Sequence, residues 1–363
     1  MAIRCYAISL LFIISPCARG SQRRAAPRHT PAPSGYVGSK ACAQCHLAEA
    51  AAQATTGMAH ALARPAESVI LRDHPLLTFK NGPYLYKIAW QGNGSLYSVT
   101  DGRRIITVPI LWAFGYGTEG VGQTYVFRYG GYFFESQVSY YTAIHGLDIT
   151  IGHISYPPSS LGAALGYPLS PDSVRKCFAC HATGAVSGSH LRLDNMIPGV
   201  SCEACHGPGA RHIAAVKAGD AASLQIFNPG RLSTDGLTAF CGACHRAAAQ
   251  EKVLKIRGVE NVRFQAYRLQ RSRCYNPEDS RISCITCHDP HRPAAREARY
   301  YDAKCLACHG RSAPSRAALA RPCPVAAHDC VTCHMPKIEI PGTHHKFTDH
   351  FIRVVKANQP YPS

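Results

Sequence analysis

The sequence lacks long apolar segments and is poor in acidic residues. Beyond the N-terminal stretch it has no run of about 18 apolar residues, which excludes an internal membrane helix. Asp and Glu number 22 against 39 Lys and Arg, which gives a formal net charge of +17. Charged residues are only 17% of the chain and hydrophobic residues 46%, so the composition is not that of a disordered protein. Methionine and tryptophan are also rare, with 4 and 2 residues.

Cysteine and histidine are abundant by contrast, with 18 and 19 residues in a chain of 363. This clustered cysteine content is not typical of a cytosolic enzyme, and the chain is too long for a small disulfide-bonded domain. The length itself predicts two or three domains.

The N-terminus has the pattern of an export signal. Arg4 precedes a short apolar core at 6–15, and small residues stand at the −3 and −1 positions of a cleavage site after Gly20. We predict a signal peptide over 1–20 and a periplasmic or otherwise exported protein. A lipoprotein anchored at Cys17 is the alternative, which the proline before that cysteine does not favour. The Pro-, Ala- and Arg-rich residues 21–35 are predicted to be a flexible linker.

Fourteen of the sixteen remaining cysteines belong to a motif, C-x-x-C-H, that occurs seven times. This is the attachment signature of c-type haem, in which the two thiols bind the porphyrin and the histidine binds iron. Zinc ribbons and thioredoxin-like redox pairs do not require a histidine after every second cysteine. The seven copies are Cys42-Cys45-His46, Cys177-Cys180-His181, Cys202-Cys205-His206, Cys241-Cys244-His245, Cys284-Cys287-His288, Cys305-Cys308-His309 and Cys330-Cys333-His334. We therefore predict seven covalently attached c-type haems.

The haems also explain the positive charge. Removing the signal lowers the net charge to about +15, and the propionates of seven ferrous haems lower it to about +1. The basic surplus is therefore balanced mainly by propionates, and we predict no nucleic-acid partner.

Twelve histidines lie outside the motifs, enough to give each iron a second axial ligand. Only Met58, Met196 and Met335 remain after signal removal, so we expect mainly bis-His ligation and low reduction potentials. The candidate distal ligands are His60, His212, His291, His328, either His344 or His345, and His350. The seventh is left open among His190, His145, His153 and His74. Cys274 and Cys323 lie outside the motifs and are left open between a disulfide, free thiols and an iron ligand.

The motifs are unevenly spaced, with a long gap after the first. The gap is rich in aromatic and β-branched residues, and Gly92-Asn93-Gly94 and Gly130-Gly131 are typical of hairpin turns. We predict a first haem segment at 36–67, a β-rich insertion at 68–155, a six-haem domain at 156–352 and a tail at 353–363. Few residues separate the later motifs, so stacked porphyrins must supply much of the buried apolar surface there.

Several strings resemble a known superfamily. These are CEACHGPGARH, RFQAYRLQRSRCYNPEDSRISCITCHDPH, HDCVTCHMPK and FTDH, together with YVGSKACAQCH and GMAHAL near the start. They resemble the multihaem cytochromes related to hydroxylamine oxidoreductase and its tetrahaem cytochrome partner, over about 36–65 and 177–352. The resemblance implies a mainly α, loop-rich haem-stacking fold, into which the β-rich segment is inserted. It also implies distal-ligand roles for His60, His212, His291, His328 and His350.

These observations favour an electron carrier that works between other periplasmic or membrane redox proteins. The alternative is a multihaem oxidoreductase that acts on a small nitrogen or sulfur compound at one five-coordinate haem. The two differ in whether every iron has a second protein ligand.

Overall fold

The computed structural model describes residues 35–116, 120–220, 225–248, 258–310, 322–356 and 358. The predicted signal peptide and almost all of the predicted linker lie outside these residues. Within them, no helix is both long enough and apolar enough to cross a membrane.

The helices of the described residues are short. The α-helices are Ser39–Cys42, Leu47–Gln53, Val69–Asp73, Leu161–Ala164, Pro171–His181, Cys202–His206, Ala210–Lys217, Thr234–His245, Gln265–Gln270, Cys284–Cys287, Ala298–His309 and Cys330–His334. Single 3₁₀ segments are Pro65–Glu67, Thr142–Ile144, Pro229–Arg231 and Gly258–Arg263. Two of the longer α-helices are capped by the serine that precedes them, Ser170 and Ser233. Each serine hydroxyl accepts the backbone N–H of the residue three positions on.

Ten strands form one antiparallel sheet. In chain order they are β1 Leu62–Ala63, β2 Leu76–Asn81, β3 Tyr84–Gln91, β4 Gly94–Thr100, β5 Ile105–Phe114, β6 Gly122–Tyr129, β7 Tyr132–Ser136, β8 Val138–Tyr141, β9 Gly146–Ile149 and β10 Gly166–Pro168. The spatial order is β10-β7-β6-β5-β4-β3-β2; β1 pairs with β5, and β8 pairs with β6 and β9. Three two-stranded ribbons follow, and they join Ala182–Thr183 to Ile197–Pro198, Val186–Ser187 to His190–Leu191, and Lys337–Glu339 to Lys346–Thr348.

Both predicted hairpins are confirmed. β3 and β4 pair around Gly92, and β6 and β7 pair with Tyr129 opposite Tyr132. The turn between β6 and β7 needs positive φ at both central residues, and Gly130 and Gly131 adopt φ of 58° and 86°. The strands extend from Leu62 to Pro168, whereas the sequence predicted an insertion over 68–155.

The sequence predicted a mainly α fold, and this prediction underestimated the sheet. The fold combines short helices with a ten-stranded sheet, because the long gap between the first two motifs carries nearly continuous strand-forming sequence. The helices of the haem motifs, in contrast, are mostly only one to three turns long.

The hydrophobic core is concentrated in and beside the sheet. One cluster, which includes Tyr86, Tyr97 and Phe127, lies against the sheet itself. A second cluster packs Trp112 against Phe178 in the helix of the second motif, with ring centres 5.8 Å apart. The sheet therefore gives the second motif a rigid support.

The part of the chain after position 200, which carries the third to seventh motifs, has few buried apolar residues of its own. Among the described residues after position 200 they are Leu237, Ala247, Val262, Phe264, Ala266, Leu269 and Ile340. So small a core cannot by itself offset the conformational entropy lost on ordering this part of the chain. The expectation that stacked porphyrins supply buried apolar surface there stays a prediction.

Candidate haem-binding sites

Each of the seven motifs lies on or directly beside a short helix. In five of them the histidine is the last residue of the helix, at Pro171–His181, Cys202–His206, Thr234–His245, Ala298–His309 and Cys330–His334. Residues three positions apart in a helix lie on the same side, so the two cysteines of a motif can reach one ligand.

Several motif histidines have one ring nitrogen fixed by a backbone carbonyl. Nδ1 of His181 donates to the carbonyl of Ala61 (2.9 Å), and Nδ1 of His206 donates to that of Phe227 (2.9 Å). Nδ1 of His334 donates to the carbonyl of Arg353 at 2.8 Å. A histidine that donates through Nδ1 keeps the lone pair of Nε2 for a metal, and such outer contacts orient ligand imidazoles.

Three motif histidines each face a histidine from a distant part of the chain. The ring centres are 6.4 Å apart for His46 and His212, 6.1 Å for His206 and His291, and 6.2 Å for His288 and His350. Imidazole–metal bonds are about 2 Å long and the ring centre lies about 1 Å beyond the nitrogen, so two rings on one metal have centres about 6 Å apart. Each pair therefore has the separation that a shared iron requires, and the residues fit a haem with two axial histidines.

Burial lowers the pKa of three of the histidines described above. It lowers the pKa of His350 to about 4, and the neighbouring His288 acts in the same direction. Burial also lowers the pKa of His288 and of His181. These imidazoles stay neutral at physiological pH, the form that binds a metal.

Cysteines of different motifs lie close enough to shift one another's pKa. The interacting pairs are Cys42 with Cys202, Cys180 with Cys244, Cys241 with Cys284 and Cys305 with Cys330. They join the first motif to the third, the second to the fourth, the fourth to the fifth and the sixth to the seventh. Electrostatic interactions of Cys205 with Cys241, and of Cys287 with Cys305, link the third motif to the fourth and the fifth to the sixth. All seven motifs thus form one connected series.

The other predicted distal ligands have varied surroundings. His60 stacks on Tyr116, with ring centres 4.5 Å apart. His328 is exposed and its Nδ1 bonds Asp329 at 2.9 Å. Nε2 of His344 bonds Asp148 at 2.7 Å, whereas His345 packs against Phe347. Of this pair of alternatives, His345 is the one whose Nε2 is not held by Asp148.

Two of the four candidates for a seventh ligand are engaged within the sheet. His74 bonds the carbonyl of Ile70 and the hydroxyl of Tyr140 through its two ring nitrogens. His153 bonds Gln137 and Glu135 in the same way, at 3.2 and 3.1 Å. His145 and His190 are exposed. If His74, His153 and His344 are set aside, nine of the twelve non-motif histidines are left. This is still more than the seven distal ligands that seven bis-His haems would need.

Sequence reasoning missed a carboxylate that fixes the first segment to the third motif. Glu203, between Cys202 and Cys205, is buried and accepts the backbone N–H groups of Val37 (2.8 Å), Gly38 (2.8 Å) and Gly209 (2.9 Å). It thereby holds the start of the first haem segment beside the helix that carries His212. A glutamate at a variable position of a motif gives no sequence signal for such a contact.

Cys274 and Cys323 do not form a disulfide in this structure. Cys274 lies near Cys305 and Cys308 of the sixth motif, and burial raises its pKa. Cys323 is exposed, and the backbone N–H groups of Ala326 and Val325 lower its pKa.

A match to one family profile supports a c-type cytochrome. The sequence profile of the family described as cytochrome c554 and c-prime matches residues 165–207, which contain the second and third motifs. No curated protein matches the chain. Among solved structures, the crystal structure of the outer cell wall cytochrome OcwA is similar with a TM-score of 0.49 and 15% sequence identity, over 89% of this chain and 80% of that chain. The repeated motif and the family match together support several covalently attached haems.

Proposed function

We propose that this chain, a multihaem c-type cytochrome, carries electrons through seven covalently attached haems, most of them with two axial histidines. The observation that carries the proposal is the spacing of the three facing histidine pairs. In each pair one ring belongs to a C-x-x-C-H motif and the other comes from outside it. A six-coordinate iron exchanges electrons without binding a substrate, which favours electron transfer.

The contacts between motifs support a continuous path. Cysteine contacts connect the haem positions in the order 1-3-4-5-6-7, with position 2 joined to position 4. The thioether-forming thiols of joined motifs interact electrostatically, so the porphyrin edges that they hold would lie close together. Position 4 would then be a branch point, with positions 1, 2 and 7 at the ends.

When bound, haem supplies the one-electron chemistry, and the chain's residues supply attachment, orientation and charge. The motif helices present the thiols and the proximal imidazoles, and backbone carbonyls fix the tautomer of His181, His206 and His334. The basic residues of the chain offset the propionates. The sheet supports the helix of the second motif through Phe178, which packs between Trp112 and Phe114.

The proposal also covers the superfamily to which the chain is related and its export from the cytoplasm. We include the chain among the relatives of hydroxylamine oxidoreductase and its tetrahaem cytochrome partner, on the strings that resemble them. We also propose that residues 1–20 are removed on export and that the partners are other periplasmic or membrane redox proteins.

A reductive titration tests this function. The mature protein should take up seven electrons per chain at low potentials, and paramagnetic resonance of the oxidised form should show mainly low-spin iron. Low-spin signals from all seven irons show that every haem has two strong-field axial ligands, as an electron carrier requires. One high-spin iron, with reduction coupled to turnover of a small nitrogen or sulfur compound, would instead favour the oxidoreductase alternative.

A further inference from the structure

A fully buried ion pair lies beside His350. The guanidinium of Arg268, on helix Gln265–Gln270, donates through Nε to Oδ1 of Asp349 at 2.7 Å and through Nη2 to Oδ2 at 2.6 Å. Both side chains have no exposed surface. Such a two-pronged contact fixes the direction of the carboxylate as well as its position. Because Asp349 directly precedes His350, the pair fixes the backbone from which the His350 ring projects.

The carboxylate of Asp349 has further partners on the other side of His350. Oδ2 accepts from Nη1 of Arg353 at 2.6 Å, and Oδ1 accepts the backbone N–H of Phe351 at 3.0 Å. The guanidinium groups of Arg268 and Arg353 also lie about the Phe351 ring, 5.1 and 5.0 Å from its centre. Residues 349–353 are thus folded tightly around one carboxylate.

Ser272 adds a second attachment to the same helical region. Its hydroxyl donates to the carbonyl of His350 at 3.1 Å and accepts the N–H of Ile352 at 2.8 Å. The backbone is therefore held both before and after the His350 ring. We define residues 349–353 as the ligand strap.

The ligand strap also contacts the proximal histidine of the seventh motif. The carbonyl of Arg353 accepts from Nδ1 of His334 at 2.8 Å, and the N–H of Arg353 donates to the carbonyl of His334 at 3.2 Å. One five-residue segment therefore carries the ring that faces His288 and the carbonyl that orients His334.

We infer that Arg268 and Asp349 are positioning residues that hold the ligand strap, and so link the axial ligation of the fifth haem to that of the seventh. The inference rests on the proposed function, because it takes His350 and His334 as iron ligands. A buried ion pair adds little to stability beyond what packed apolar residues of the same size would give, since desolvation offsets the attraction. What the pair does provide here is a fixed direction for the segment that bears His350.

The test uses the mature haem-loaded protein and the variant Asp349→Asn, which keeps the shape of the side chain but removes its charge. The number of covalent haems should equal that of the parent, because every thiol remains. Oxidised Asp349→Asn should contain one additional high-spin iron, that of the fifth motif, and the spectrum of the seventh haem should shift as well. Carbon monoxide should bind the reduced variant at a site that is closed in the parent.

Two further variants keep the inference testable if Asp349→Asn does not fold. Arg268→Lys keeps the charge but loses the two-pronged contact, and Ser272→Ala removes only the attachment of the strap after His350. Each should give partial carbon monoxide binding at the fifth haem, less than that of Asp349→Asn where that variant folds. Arg104→Gln, which removes an exposed ion pair with Asp101 in the turn between β4 and β5, is the matched control and should behave as the parent.

The outcomes separate this inference from the function on which it rests. A parent without covalent haem, or without low-spin iron, would overturn the proposed function. A normal parent with folded Arg268→Lys and Ser272→Ala variants whose spin state and carbon monoxide binding are unchanged would overturn the positioning role alone. A change confined to the fifth haem would overturn the link to the seventh.

Discussion

The imidazole rings of His206 and His291 lie 6.1 Å apart and only 5° from parallel, although 85 residues separate them in the sequence. His206 ends the helix of the third motif, and His291 follows the fifth motif by three residues. The separation of the ring centres suits one metal bound between the two rings. On the proposal that His206 and His291 share one iron, the distal ligand of one haem comes from the segment after another haem's motif, which would couple the folding of neighbouring sites.

Replacement of His291 by alanine should open one coordination site. The iron of the third motif would lose its second imidazole and become high-spin, and the reduced protein should bind carbon monoxide. Paramagnetic resonance should show one additional high-spin iron per chain, with the haem count unchanged. The matched control is His74→Gln, since His74 is bound to Ile70 and Tyr140 in the sheet and should leave the spin state as in the parent. If His291→Ala and His74→Gln give the same spectrum as the parent, His291 is not a ligand.

The adjacent residues His344 and His345 should respond differently to mutation. His344→Ala removes a half-exposed contact with Asp148, which should lower the free energy of unfolding by about 0.2–1 kcal/mol without changing any haem spectrum. His345→Ala should create a high-spin iron if His345 is the ligand of the two. Chemical denaturation and carbon monoxide binding of both variants check this. A new carbon monoxide site in His344→Ala, and none in His345→Ala, would reverse the assignment.

Removal of the Glu203 carboxylate should loosen the first haem segment. Glu203→Ala leaves the N–H groups of Val37, Gly38 and Gly209 without their acceptor, which should lower the free energy of unfolding by about 2 kcal/mol or more. Hydrogen exchange should increase at residues 36–46 and near His212, while the sheet keeps its protection. Glu67→Ala, which removes an exposed carboxylate, is the control. Equal exchange in Glu203→Ala and the parent would contradict the role of this contact.

The exposed thiol of Cys323 should react with alkylating reagents at lower pH than an ordinary cysteine. Backbone N–H groups stabilise its thiolate and lower its pKa, so the thiolate fraction rises at lower pH. Burial raises the pKa of Cys274, which should react only at higher pH. Peptide mapping of the alkylated, non-reduced protein over a range of pH checks the order. Recovery of a Cys274–Cys323 disulfide from the mature protein would contradict it.

The local features of the structure followed from the sequence, and the distant contacts did not. The Gly-containing turns predicted the β3–β4 and β6–β7 hairpins because a two-residue turn with positive φ restricts the residue types at its centre. The sequence also indicated His212 and His291 as candidate distal ligands. Which motif histidine each one faces depends on tertiary contacts such as that of Glu203 with Val37, for which no short-range pattern exists.

The sequence also could not distinguish the roles of neighbouring residues of the same type. His344 and His345 differ only in direction, and that direction is set by Asp148, 196 residues away from His344. The Arg268–Asp349 pair was missed for a similar reason, since a buried arginine looks like a surface arginine in the sequence. The extent of the sheet was underestimated because β1 and β10 are short and take their pairing from β5 and β7.

The intact mass of the mature protein, measured after acid–acetone extraction has removed non-covalent haem, tests the central claim most directly. The account predicts a chain that begins at Ser21 and carries seven haems through fourteen thioether bonds. Fewer than seven haems on fully matured protein would contradict the assignment of every C-x-x-C-H motif to a haem. The absence of covalent haem would contradict the account as a whole.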